Sequence, residues 1–198
     1  MAVCHLFYGY YYTNVYKIYA NKYIDDDNFL TTVGATAGLL NGCFKLFWAS
    51  LLDYYPFRSI YGGLITLEIS LIFLVQVAVY NKPSFFIVTC LTFMCDGSLT
   101  SMLPALTVSQ FGIERGPQVY GYMFSVFGVA AISSTILFST MIDYFGYKGM
   151  FLVSSVFSIS AAVLAFVLNE KKKFNFEETY HKYKMQKKDK EAAYDHLN

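Results

Sequence analysis

Of the 29 charged side chains in this 198-residue sequence (15 basic, 14 acidic), only ten lie between Phe29 and Leu168, and the other nineteen sit in the two flanks. A water-soluble domain scatters its charges over its surface. Here they are segregated, and the interval is filled by apolar runs long enough to cross a ~30 Å hydrocarbon core. Lipid offers no hydrogen bonds to the backbone, so only helices or closed barrels span it. Strand-length segments are missing from the pattern, which predicts an all-α polytopic membrane protein. Composition agrees, with 15% charged residues against roughly 25% in soluble domains.

Six helical segments are expected, at about 4–18, 29–52, 60–80, 84–108, 119–142 and 149–168. Polar stretches separate them: Asp53–Ser59, Asn81-Lys82-Pro83, Gln110–Gln118 and Asp143–Lys148. From Asn169 the character changes to a Lys/Glu/Asp-rich tail over 169–198, which reads as solvated or disordered. Lys171, Lys172 and Lys173 flank the last apolar segment, so the positive-inside rule predicts a cytoplasmic C-terminus. An even number of helices then puts the N-terminus on the same side. Arg58 and Arg115 would also be inside, and Lys22, Lys82 and Lys148 outside. The first segment, with about 15 residues where roughly 17–25 are needed, is short, so the chain reads as truncated, with an upstream portion missing.

Several function classes are excluded. A net charge of +1 lacks the basic face of a nucleic-acid binder. Cys4, Cys43, Cys90 and Cys95 have no zinc-like spacing and read as small packing residues. His5, His181 and His196 stand isolated in the sequence, with no nucleophile elbow and no phosphate-binding glycine loop. Asp25-Asp26-Asp27 lacks the spaced ligands of a calcium loop and reads as a solvated turn. No enzyme, cofactor or metal centre is expected.

The informative residues are the polar ones inside the apolar segments, because an ionisable group there costs at least ~2.5–3.5 kcal/mol on insertion scales and usually faces a cavity or a partner. Asn41 and Lys45 are four apart and share a helix face, with Trp48 and Ala49 a turn further on. Lysine charge and amide hydrogen bonds on one stripe suit a carboxylate. The competing role for Lys45 is snorkelling to the interface. Asp96, in Cys95-Asp96-Gly97-Ser98 with Pro104 beyond, is either a functional, proton-carrying group or a fixed counter-ion for Lys45. Glu68 reads first as a helix–helix hydrogen-bonding residue and second as a proton site. Tyr8, Tyr12 and Tyr16 form a stripe that either lines a polar cavity or belongs to an interfacial aromatic belt.

The string Asn41-x3-Lys45-x3-Ala49-x3-Asp53-x4-Arg58 resembles the second-half copy of the loop signature of major facilitator superfamily transporters, in its oxalate/formate antiporter-like branch related to monocarboxylate transporters. Gln110-Phe111-Gly112, Tyr120-Gly121 and Asp143-x2-Gly146 resemble the same branch. Ala49, Tyr54, Pro56 and Phe57 depart from the signature, leaving Asp53 and Arg58. The resemblance covers nearly all of residues 1–170. It implies the C-terminal six-helix half of a twelve-helix carrier, built as two three-helix repeats.

The resemblance further implies that Lys45 stands where that branch carries a substrate-binding arginine, with Asp53 and Arg58 as a gating-loop motif. The expected substrate site is therefore Lys45, Asn41, Asp96, Tyr12 and Tyr16. Its ligand would be a small, monocarboxylate-like organic anion, with H+ as a coupling ion. The other partners are the lipid bilayer and either the missing N-terminal half or a second copy of the chain. A different class stays open: a non-transporting six-helix subunit or scaffold whose basic tail binds partners or lipid.

Overall fold

The computed structural model describes residues 2–167, 180, 181 and 183–185. Most of the charged tail, including Lys171, Lys172 and Lys173, lies outside the described residues. Among the described residues all regular structure is helical: α1 (Ala2–Ala20), α2 (Asp27–Tyr54), α3 (Phe57–Ala78) and α4 (Lys82–Val167). α2, α3 and α4 are long and apolar enough to cross a membrane. The chain is an all-α polytopic membrane protein.

Local chemistry sets the helix ends. Asp26 caps α2 by accepting a hydrogen bond from the Phe29 amide (3.0 Å), which satisfies one of the orphan donors of the first turn. Tyr55 and Pro56 are both extended, as expected for a residue preceding proline and for a proline at a helix entrance. Pro83 falls in the first turn of α4, where its missing N–H costs nothing.

The 86-residue α4 is interrupted twice, at Gly112 (φ 81°, ψ 169°) and Gly146 (φ 63°, ψ 176°). Only glycine adopts such angles without steric cost. The breaks divide α4 into stretches 82–111, 113–145 and 147–167. Where the sequence suggests a loop over Gln110–Gln118, helical geometry resumes at once after Gly112. Gly116 then packs so closely on the end of the first stretch that a β-carbon there would stand 2.6 Å from Val108 Cα.

α4 packs against each of the other three helices, which have few contacts among themselves. α1 is the most polar of the four yet lies deep, with Tyr8, Tyr11, Tyr12 and Tyr19 at most 1% exposed. Of the tyrosine stripe, Tyr8 and Tyr12 are therefore core, a placement neither sequence reading offered, while Tyr16 is half-buried. Aromatic bulk explains it, since Tyr11, Tyr12 and Tyr19 all pack around Phe151 of the third α4 stretch. Many helix hydroxyls bond back to carbonyls one turn earlier, as Thr92 does to Val88, Ser154 to Met150 and Thr135 to Ala131, so they need no partner elsewhere.

One end of the bundle is tied by charge. Lys82 pairs with Asp26, Lys17 with Asp27 (2.7 Å), and Lys148 donates to the Tyr80 hydroxyl (3.3 Å). Lys22 sits 4.2 Å from the Tyr147 ring centre, a cation–π distance. These contacts gather Lys22, Lys82 and Lys148 on one face.

Candidate functional site

α2 is fastened to the first stretch of α4 by two side-chain donors. Asn41 Nδ2 donates to the Phe93 carbonyl (2.7 Å), and Trp48 Nε1 donates to the Met94 carbonyl (2.8 Å). Both donors lie on the face of α2 that buries Leu30, Val33, Ala37 and Leu52. Between these two rungs sits Lys45, on the edge of the buried face and exposed. Gly97 makes the approach possible. A β-carbon there would lie 2.7 Å from Asn41 Oδ1 and 3.2 Å from Lys45 Cε.

Asp96, next to Gly97, turns the other way. Its carboxylate lies where a side chain on Gly9 of α1 would be. Lys45 and Asp96 influence each other electrostatically, but among the described residues they form no ion pair within 4.0 Å. The counter-ion role read from the sequence is therefore long-range. Asn41 has committed one amide proton to Phe93, so it positions the helix as well as edging the site.

The remaining candidates fall in different places. Tyr16 is half-buried, with its hydroxyl against Gly34 and its ring edge-on to Phe93 at 5.6 Å. Tyr12 is 1% exposed, and its hydroxyl shares a 2.8 Å hydrogen bond with Thr89. Packing and that bond engage Tyr12 in the core, away from Lys45. Asp53 and Arg58 are both exposed at the α2–α3 turn, with the Arg58 guanidinium 5.4 Å from the Phe166 ring centre.

Sequence reasoning read Glu68 as a helix–helix hydrogen-bonding residue but missed its pairing with His5. His5, isolated in the sequence, is 1% exposed and places Nδ1 2.9 Å from Glu68 Oε2, itself in a residue 3% exposed. Ser158, from the third stretch of α4, donates to Glu68 Oε1 at 3.3 Å. The partners are 63 and 90 residues from Glu68 in sequence. The available signal was that two ionisable residues in apolar helices each lacked a local partner.

A bundle of membrane-length helices with ionisable side chains strung through its middle has the architecture of a transport protein. The family model described as Major Facilitator Superfamily matches residues 1–187, and the chain belongs to that superfamily, whose members are transporters and not enzymes. Comparison with curated proteins and with solved structures finds no match.

Proposed function

We propose that the chain serves secondary active transport of a small, monocarboxylate-like organic anion, as one half of an alternating-access carrier. The observation that supports this most is Lys45: an exposed cation within a membrane-length helix, beside an amide, with no ion pair among the described residues. A cation in that setting is expected to face a cavity or a ligand. In this reading Lys45 supplies the charge, Asn41 orients the bound carboxylate and Asp96 tunes the field. Tyr16 edges the site. Asp53 and Arg58 act as a gating latch at the α2–α3 turn, and the C-terminus faces the cytoplasm, with Lys22, Lys82 and Lys148 on the opposite side.

Rocking of two six-helix halves about the site would expose it alternately to each side, the second half being a separate six-helix unit or a second copy. The decisive experiment is uptake of labelled lactate, formate and oxalate into proteoliposomes holding the full-length protein. Saturable uptake of at least one anion, lost in Lys45→Gln, is the expected result. Unchanged uptake in that variant would remove the assignment.

A further inference from the structure

We infer that His5 and Glu68 form a proton-binding pair, separate from the anion site, whose charge is linked through Asp96 to Lys45. The geometry places the pair where three elements meet: His5 on α1, Glu68 on α3 and Ser158 on the third stretch of α4. Both ionisable groups are shut off from solvent. Beside the 2.9 Å His5–Glu68 contact, the buried atoms His5 Nε2 and Tyr61 Oη make no hydrogen bond among the described residues. A structural polar knot is ordinarily saturated with hydrogen bonds, whereas this one keeps lone pairs and protons to spare. That is the condition for taking up and releasing a proton.

The link to the anion site runs along α1. His5 and Gly9 are one turn apart on the same helix face, and the carboxylate of Asp96 lies on Gly9. Asp96 is in electrostatic reach of His5, Glu68 and Lys45. The other titratable groups facing the pair are Cys4 and Tyr8 on α1, Tyr61 on α3 and Cys95 on α4, and Lys45 is the cation beyond Asp96.

The signs work in one direction. A proton on His5 offsets the negative charge of Asp96, which leaves more of the Lys45 charge for an incoming anion. Loss of the proton frees Asp96 to hold the field of Lys45 and to repel the anion. Linkage is reciprocal, so a bound anion also strengthens proton binding. The proton comes from the medium, adds to the imidazole or carboxylate, and returns to the medium on the far side. No other reactant is consumed, and one proton per monoanion leaves the cycle electroneutral. If the anion binds only the protonated state, its half-saturation concentration rises about tenfold per pH unit above the pair's midpoint.

The linkage rests on the anion reading, but proton binding by the pair does not, and the test separates them. The purified full-length protein is titrated from about pH 5 to 9, the range histidine spans, following the infrared carboxyl band. The emission of Trp48, the single tryptophan of the sequence, on the face beside Lys45, is followed in the same titration. A shared midpoint is expected, shifted by at least one pH unit or abolished in His5→Gln and in Glu68→Gln. The double variant buries no charge and is the safeguard should a single variant fail to fold. It is expected to show neither transition. Lys45→Gln is expected to keep the infrared transition while losing lactate, formate and oxalate uptake. An infrared midpoint unchanged in the double variant overturns the pair. A Trp48 signal that ignores pH, with the infrared transition intact, overturns the link.

Discussion

The Asp96 carboxylate of α4 rests directly on the backbone of α1 at Gly9, in the space a β-carbon would fill. Neither residue is an obvious partner of the other in sequence, yet their contact sets the direction in which the mid-membrane carboxylate points. It turns Asp96 toward α1 and His5, and leaves Lys45 on the far side of Gly97 with no direct counter-ion among the described residues.

Gly9→Ala should therefore displace Asp96 and loosen the α1–α4 contact. Overpacking of this kind costs about 1–3 kcal/mol, readable as a lowered unfolding temperature in detergent. Adding Asp96→Ala to Gly9→Ala should recover part of the loss, since the clash is with that side chain. A double-mutant cycle measures the coupling, and strict additivity would deny the contact.

Lys45→Arg and Lys45→Gln should separate charge from shape. Losing a hydrogen bond to a charged group costs about 1.5–3 kcal/mol, so the glutamine variant should weaken anion half-saturation by roughly 10- to 150-fold, which abolishes uptake at sub-saturating anion. The arginine variant keeps the charge and adds bidentate geometry, and should retain uptake. Concentration dependence of lactate and formate uptake checks both.

Gly112→Ala and Gly121→Ala form a contrasting pair. Gly112 holds φ 81° and ψ 169°, an essentially glycine-only region where a β-carbon costs roughly 1–3 kcal/mol, so alanine should destabilise although nothing crowds the site. Gly121 is helical with open space around its β position, and alanine there should be neutral or stabilising by up to ~1 kcal/mol. Thermal unfolding of the two variants side by side is the measurement.

Asp26 carries a pH prediction. The hydrogen bond from Lys82 and that from the Phe29 amide hold its carboxyl below the usual carboxylate range. A folded-state value below the unfolded one means its stabilisation is fully present above the unfolded value of about 3.9. That stabilisation is lost as pH falls through the lowered folded value. Asp26→Asn should thus narrow the stability gap between neutral and acid pH. Unfolding temperatures at pH 7 and below pH 4 compare them, and an unaltered acid profile would count against the cap.

What the sequence alone determined is the part governed by local composition and spacing. Charge segregation specified membrane helices, because lipid forbids unpaired backbone and unpaired charge alike. Gly112 and Gly146, already noted in the family-like strings, are where α4 breaks. Asn41, Lys45 and Trp48 share a face by helical periodicity, and that face does meet α4. Contacts that span tens of residues could not be read this way. By pattern Tyr12 and its neighbours read as cavity lining or an interfacial belt, and only the packing around Phe151 and Thr89 placed Tyr12 in the core. The Glu68 pairings with His5 and Ser158 and the rest of Asp96 on Gly9 were likewise decided by tertiary structure alone. Each depends on how three helices cross, and a one-dimensional period carries no record of that angle.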